Sequence, residues 1–173
     1  AARKGLGILG FNGAEPDEVQ PSIKAYREAS VGAVPVGGYA NHQIAMFTMA
    51  NIAQDYTVGR ALACAAARWY AGDNDSELQK GRFSGHTGEY YEGQQAAGRR
   101  PGVRESVLKR SDDDLINDGL VIGGDIDSVC RGVERWANLG VDQLFFMIQA
   151  GNTTHDEVMR ALDLFGSKVL PKF

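Results

Sequence analysis

An α/β fold built on a parallel sheet is predicted by two features of the sequence. Apolar segments of strand length alternate along the chain with segments whose apolar residues recur at helical spacing. The strand segments are also apolar throughout, which is typical of parallel strands that are covered on both faces. The chain has 173 residues, which is enough for one domain with a sizeable core.

The first strand is predicted at residues 5–11, GLGILGF, after a short turn of helix at residues 1–4. A helix follows, because Pro16 suits the first helical position and the apolar spacing continues to about Ala29. The buried side of this helix is predicted to carry Val19, Ile23 and Tyr26.

The second strand is predicted at residues 43–53, QIAMFTMANIA, with another helix after it. The apolar stripe of that helix consists of Val58, Ala61, Leu62, Ala65 and Trp69. Residues 71–118 differ from the rest, because this long segment is polar and rich in Gly, Asp, Ser and Arg. A loop of this length in a compact domain is usually either functional or disordered.

The last part of the chain, residues 123–173, predicts a helix, a strand and a helix. Asp127 is the expected N-cap of the first of these helices, and Gly140 is its expected end. The unbroken apolar run at residues 144–148 predicts a central strand. Thr154 and Glu157 have the spacing of a capping box, which predicts the start of the final helix. The two helical stripes are Val129, Val133, Trp136 and Ala137, and Val158, Ala161, Leu162 and Phe165.

Composition argues against two classes of partner. The net charge is −4 with acidic and basic residues interspersed, so the sequence has no basic patch of the kind that binds nucleic acid. No apolar run approaches the roughly 18 residues of a membrane span, and a cytoplasmic location is the expected one. Cys64 and Cys130 lie in apolar helical patterns, so both are expected to be buried and reduced.

Metal and hydrolase chemistry find little support. The spacing of His42, His86 and His155 matches no metal-binding pattern, so no metal is expected. Ser84 and His86 can be combined with an acid on paper, but the Gly-x-Ser-x-Gly elbow of a hydrolase is absent from the sequence. The glycines near the first strand do not form a dinucleotide fingerprint.

Four short motifs near the C-terminus carry a family resemblance. They are the Val-Ile-Gly-Gly-Asp segment at 121–125, Gly-Val-Asp at 140–142, His-Asp-Glu-Val-Met-Arg at 155–160 and the tail at 164–173. Together they resemble the end of the bacterial-luciferase-like, flavin-dependent monooxygenases, although each motif alone is weak. The resemblance extends back through residues 1–53 and leaves out most of 71–118.

The resemblance implies the C-terminal part of a (β/α)8 TIM barrel. A complete barrel needs about 250 residues, and this chain has room for about three βα units plus the long insertion. Residues 5–11, 43–53 and 142–149 then correspond to the sixth, seventh and eighth strands. Residues 1–173 are expected to form one partial barrel domain.

The family also implies where a site lies, because barrel sites are built at the carboxyl ends of the strands. Leu9, Gly10 and Phe11 are expected to lie against the flavin ring; the alternative is that Leu9 and Phe11 simply fill the barrel interior. Asn51 and Gln149 are expected to offer amide hydrogen bonds to substrate or flavin, or else to be turn residues. Catalytic residues cannot be assigned from the sequence.

The long segment at 71–118 has two interpretations. In the resembling family an insertion closes over the flavin, and lids of this kind exclude water from reactive groups. Glycines in the segment supply hinges and its arginines can meet anionic groups. The alternative is a solvated surface loop.

The function implied by the resemblance is a flavin-dependent oxidoreductase, specifically a monooxygenase that uses reduced FMN and molecular oxygen on an organic substrate. A sister branch of the family uses a deazaflavin for hydride transfer. A third hypothesis is a non-catalytic partial barrel, either a fragment or an interaction subunit. Its unpaired sheet edges at 5–11 and 142–149 would then pair with a second copy or a completing partner chain.

Overall fold

The computed structural model describes residues 1–11, 15–72 and 107–173, and the predicted alternation of strands and helices is confirmed in them. A short 3-10 turn, Ala2–Lys4, precedes the first strand, and a π-helical turn, Phe165–Val169, follows the last α-helix. In chain order the main elements are β1 Ile8–Phe11, α1 Pro16–Ser30, β2 Ile44–Ile52, α2 Tyr56–Gly72, α3 Asp112–Asn117, β3 Val121–Gly124, α4 Ile126–Asn138, β4 Gln143–Met147 and α5 His155–Leu164.

Strand β2 is the centre of a parallel sheet, and the three other described strands all pair with it. The register joins Ile8 of β1 to Ile44 and Gln143 of β4 to Ala45. Because β1 and β4 share partners on the first half of β2, they lie at its two opposite edges. Strand β3 pairs with the second half of β2, from Met49 to Ile52.

Two predictions about the strands are wrong. β4 was expected to be central, but among the described strands it pairs only with β2, and the side chain of Phe145 is 49% exposed. The count of three βα units misses β3, whose four residues are all buried: Val121 packs in the cluster that contains α2, and Ile122 packs in the cluster that contains α4. The described sheet therefore has four strands, and the three predicted ones are neighbours in the predicted order, β1 beside β2 and β2 beside β4.

Helices cover both faces of the sheet. Met46 and Ile52 of β2 pack in one cluster with residues of α4 and α5, whereas Met49 packs in another with residues of α2. Successive side chains of a strand point to opposite faces, so α2 lies on the face opposite to α4 and α5. In a closed barrel all the helices lie outside, and this layering therefore differs from that of a barrel.

Helix α2 packs on the sheet through small residues rather than through its predicted stripe. Its buried residues include Ala63, Cys64, Ala66 and Ala67, while Val58 and Trp69 are exposed. A Cβ on Gly123 of β3 would lie 2.5 Å from the Cβ of Ala63. Such close contact between helix and strand leaves no room for large side chains, which explains why the larger apolar residues face away from the sheet.

The helix ends confirm one capping prediction and correct another. Thr154 and Glu157 form the predicted capping box, in which the Thr154 hydroxyl accepts from the Glu157 amide and the Glu157 carboxylate accepts from the Thr154 amide. The N-cap of α4 is Asp125, not Asp127, because the Asp125 carboxylate accepts from the Ser128 amide at 2.9 Å.

An arginine of α1 joins the starts of β2 and β4. Arg27 donates to the carbonyl oxygens of His42 and Gly140 at 2.8 and 2.7 Å. It also pairs with the Asp142 carboxylate at 2.7 Å, and that carboxylate accepts from the Ile44 amide at 2.6 Å. Burial opposes ionisation of Asp142, but these hydrogen bonds and the charge of Arg27 outweigh it and lower the pKa of Asp142.

We expect Asp142→Asn to destabilise the chain at pH 7 and to destabilise it less in acid. A carboxylate whose pKa is lowered by folding stabilises the folded state above its unfolded value, about 3.9, and loses that contribution as the pH falls through the folded value. Urea unfolding at pH 7 and near pH 3 measures the difference, with the exposed Glu134→Gln as the control. Equal losses of stability at both pH values would contradict the role given to the ionised carboxylate.

Both cysteines are free and buried, as predicted. Burial raises the pKa of Cys64 to about 12, and the charge of Asp112 acts in the same direction. A thiol with such a pKa carries almost no thiolate at neutral pH and is unreactive.

Candidate functional site

The topology of the sheet points to one edge as a binding site. Neighbouring strands β2 and β4 are followed by helices on opposite faces of the sheet, α2 and α5 respectively. A place where neighbouring strands are followed by helices on opposite faces is a topological switch point. In open α/β sheets ligands bind there, outside the carboxyl ends of the strands, because the two connections leave the sheet in opposite directions and a crevice opens between them.

A cleft of about 690 Å³ lies at this place, a size that suits a small organic ligand. One wall comes from the end of β2 and the first turns of α2, and the other comes from α5. The apolar part of the lining consists of Ile52, Ala53, Val58, Leu62, Met159 and Leu164.

The polar part of the cleft lining carries a net negative charge. Asp55, Glu157 and Asp163 supply three carboxylates, against the one guanidinium of Arg160, and Gln54 adds a neutral amide. Hydrogen bonds from the amide and hydroxyl of Thr154 lower the pKa of Glu157, so this carboxylate is ionised at neutral pH.

The cleft continues along α2 into a second cavity of about 420 Å³, which shares Leu62 and Glu157 with it. This cavity extends to Trp69 and to the loop after β4. Gly151 of that loop has a φ of +63°, and a Cβ on it would lie 2.8 Å from the Trp69 ring. The loop backbone at Gly151 therefore lies directly against Trp69 at this end of the second cavity.

A third cavity, of about 200 Å³, lies beside the first turn of α2, and its charged lining residues are basic, unlike those of the cleft. Tyr56, Ser128, Arg131 and Arg135 are among its lining residues. Both arginines already have partners, since Arg131 donates to the Ser128 hydroxyl and Arg135 pairs with Asp17 at 3.0 Å. This cavity therefore offers positive charge that is partly neutralised.

Asn51, one of the predicted substrate-binding residues, is fully buried. Its side-chain oxygen accepts from the Ile52 amide at 2.9 Å, and its amide nitrogen donates to the carbonyl oxygen of Ile148 at 3.4 Å. The second of these bonds joins the carboxyl end of β2 to the residue that follows β4. Gln149 follows β4 at the same edge and is exposed.

The predicted flavin-contacting residues lie away from the cleft. β1 pairs only with the first half of β2, and Phe11 is opposite Phe47, five residues before Ile52. At the rise of a strand this separation is about 16 Å. Gly10 faces Met46, Leu9 is 59% exposed on the sheet surface, and neither lines the cleft.

Most of the predicted lid, residues 73–106 of the 71–118 segment, falls outside the described residues, so the lid stays a prediction. Within the described ranges no group of His, Cys, Asp and Glu residues is arranged to hold a metal ion. The same ranges contain no helix that is both long and apolar enough to cross a bilayer. His155, at the start of α5, is exposed.

The helical spacing of apolar residues places Val58 and Leu62 in a packing stripe and gives Met159 no predicted role. One signal was available: the α2 segment is apolar on more than one face, and such a helix has a second apolar surface to cover.

Comparison with known proteins shows the fold. No protein-family model and no curated protein matches the sequence. Among solved structures, the chain is similar to the monooxygenase RslO1 from Streptomyces bottropensis, with 18% identity and a TM-score of 0.66 over 99% of this chain and 43% of that one. It is also similar to a type II Baeyer-Villiger monooxygenase from the CAM plasmid of Pseudomonas putida, solved in complex with FMN, with 15% identity and a TM-score of 0.57 over 96% of this chain and 48% of that one.

A third similar structure is the coenzyme F420 dependent tetrahydromethanopterin reductase from Methanopyrus kandleri, with 20% identity and a TM-score of 0.53 over 96% of this chain and 45% of that one. The structural neighbours are thus luciferase-like monooxygenases and related oxidoreductases, as the sequence motifs predicted. The chain spans less than half the length of these neighbours.

Proposed function

We propose that this chain is part of a luciferase-like, flavin-dependent monooxygenase that uses reduced FMN and molecular oxygen on an organic substrate. The observation that carries the proposal is the position of the cleft. The cleft lies at the carboxyl edge of the sheet, where α/β enzymes bind their ligands. The fold is similar to that of the monooxygenase RslO1 and to that of a Baeyer-Villiger monooxygenase solved with FMN.

The cleft fits one part of a flavin and not another. A flat, largely apolar ring suits a wall made by Ile52, Leu62 and Leu164, and the Gln54 amide can donate to or accept from the ring edge. A phosphate does not fit there, because the carboxylates outnumber the single guanidinium. When bound, the flavin supplies the redox chemistry, and the residues of this chain bind the ring and keep water from it.

The fold of the whole enzyme is part of the same proposal. The structural neighbours align with 96% or more of this chain and with less than half of their own length. We propose that the described sheet corresponds to a C-terminal segment of a (β/α)8 barrel.

Anaerobic titration of the purified chain tests the proposal. We expect saturable binding of reduced FMN, and oxygen uptake when air and a substrate are added. Binding of a reduced deazaflavin but not of FMN would favour hydride transfer instead. Binding of neither by a folded sample would contradict a flavin site in this chain alone.

A second candidate function is a non-catalytic interaction subunit. It is favoured by the outer strands, since within the described part of the sheet β1 and β4 each pair only with β2. Leu9 and Phe145 are exposed on these edge strands, and unpaired edges invite strand addition. We propose a second copy or a completing chain as the partner. Light scattering after size exclusion tests it, with Phe145→Lys expected to release any dimer formed through β4.

A further inference from the structure

We infer that the second cavity, which lies beside Trp69, binds the organic substrate and selects uncharged molecules that carry an aromatic ring. The inference rests on the proposed function, because it takes the neighbouring cleft as the place of the flavin. It deepens that proposal by giving the substrate a site of its own and a chemical class.

The second cavity is the continuation of the cleft along α2. Leu62 and Glu157 line both of them, and the second cavity has a volume of about 420 Å³, which lies within the range of small-molecule sites. Two ligands that fill the two cavities therefore meet beside Leu62. Contact between two bound molecules is the arrangement that a reaction between them requires.

Trp69 has the largest side chain in the lining of the second cavity. This side chain is 41% exposed, although it is aromatic and belongs to a packed helix. A Cβ on Gly151 would lie 2.8 Å from the Cγ atom of Trp69, so the loop after β4 holds one edge of the ring in place. A ligand that covers the rest of the ring removes apolar surface from water. An aromatic ligand gains further affinity because its ring pairs with the indole ring.

Small residues leave room for such a ring beside Trp69. Ala65 and Ala66 of α2 and Ala150 of the loop after β4 line the cavity, and Leu62 and Leu108 complete its apolar part. Ala65 is exposed, so a longer side chain at this position does not disturb the packing of α2 on the sheet. It does take up space in the cavity.

The charged residues of the lining already have partners. Arg68 pairs with the Asp112 carboxylate and donates to the carbonyl oxygen of Arg110 at 2.9 Å. The Glu157 carboxylate accepts from the amide and the hydroxyl of Thr154 at 2.7 and 2.8 Å. A charged ligand gives up its hydration on entering and finds no charged group without a partner in this lining. The cavity therefore favours uncharged molecules.

Nuclear magnetic resonance tests the inference on the full chain, because its two tryptophans give two indole N–H signals. The variant Trp69→Phe assigns the two signals. We expect 2-naphthylmethanol to shift the Trp69 signal saturably and to leave the signal of the buried Trp136 in place. Decahydro-2-naphthylmethanol carries the same hydroxymethyl group on saturated rings. We expect it to bind about two- to tenfold more weakly, because it lacks the pairing of aromatic rings.

The preference for uncharged molecules is tested with two charged analogues, 2-naphthoate and 2-naphthylmethylammonium. Both carry the same aromatic rings as the alcohol, with opposite charges. Because a charged group loses hydration without gaining a partner, we expect each of them to bind about fivefold or more weakly than 2-naphthylmethanol.

A matched pair of variants on α2 places the binding in the second cavity. Ala65→Gln puts a longer, uncharged side chain into the lining and is expected to weaken the binding of 2-naphthylmethanol severalfold in calorimetry. Ala61→Gln makes the same change at an exposed residue one turn earlier that lines neither cavity, and it is expected to change nothing. Glutamine is a good helix former, and an unchanged Trp136 signal verifies that each variant is folded.

Four results would overturn the inference. They are no saturable shift of the Trp69 signal, equal affinity for the aromatic and the saturated alcohol, a charged analogue that binds as tightly as the alcohol, and equal binding by the two α2 variants.

A final titration adds FMN to the complex with 2-naphthylmethanol. Binding of both together is the expected result, whereas displacement of the alcohol by FMN would put both ligands in one place and contradict the inference. Binding of the alcohol without any binding of FMN contradicts the proposed function and leaves the aromatic site standing. Binding of FMN without any binding of the alcohol does the reverse.

Discussion

Replacing Gly59 with alanine is expected to lower the free energy of unfolding by about 1–3 kcal/mol, although alanine is the better helix former. A Cβ at this position would lie 2.1 Å from the carbonyl oxygen of Gly124 and 2.8 Å from the amide nitrogen of Ala53. Both are backbone atoms, and the Ala53 amide donates to that same carbonyl at 3.1 Å. The clash cannot be relieved by moving one side chain, so α2 must shift away from β3.

Urea unfolding measures this loss, and Gly166→Ala is the matched control because a Cβ there meets nothing within 4 Å. The control is expected to be as stable as the parent chain. A Gly59→Ala variant with unchanged stability would show that α2 does not pack against the end of β3 as described. Asp55 and Val58 lie on the same turn, so a shift of α2 is also expected to weaken ligand binding in the cleft.

Trp136→Ala is expected to have the largest effect on stability, a loss of about 3–5 kcal/mol. Trp136 is 1% exposed and is the largest fully buried side chain of the described core. It packs in the cluster that joins α4, α5 and the sheet. Truncation leaves a cavity that three separate elements would have to move to fill.

The variant Trp136→Phe separates the contribution of ring packing to stability from that of the indole nitrogen. The indole nitrogen is buried and has no hydrogen-bond partner among the described residues. Phenylalanine keeps much of the packing and removes this unpartnered donor, so we expect it to cost far less than alanine does. Equal losses for the two variants in thermal unfolding would contradict a packing role for the aromatic ring.

The C-terminal elements could be predicted because their signals are local. Thr154 and Glu157 are three residues apart and form a capping box wherever a helix follows. Gly140 has a φ of +84° just after α4, a conformation that glycine adopts without strain. Asp125 and Asp127 both precede the apolar stripe, so the sequence alone does not distinguish which of them is the N-cap. The hydrogen bond from the Ser128 amide identifies Asp125.

Strand β3 could not be predicted because its sequence, Val-Ile-Gly-Gly, is short and half glycine. Glycine is disfavoured in strands unless another backbone approaches closely. Here Gly123 and Gly124 are needed because α2 packs directly on them. That reason is tertiary, and no property of the four residues alone reveals it.

The cleft was missed for a related reason. Its walls come from α2 and α5, about 100 residues apart, and meet only because β4 pairs with β2 rather than with β3. The family resemblance implied that the strands at 5–11, 43–53 and 142–149 would bring their carboxyl ends together at one site. The observed register instead ends β1 level with the middle of β2, which leaves Leu9 and Gly10 far from Ile52.

The measurement that tests the central claim most directly is a titration of the folded chain with FMN, followed by quenching of flavin fluorescence, with Val58→Asp and Val36→Asp in parallel. Val58 lines the cleft, and Val36 is an exposed valine before β2 that does not. We expect saturable binding by the parent chain and by Val36→Asp, and at least tenfold weaker binding by Val58→Asp. Equal binding by both variants would place any flavin elsewhere and contradict the account.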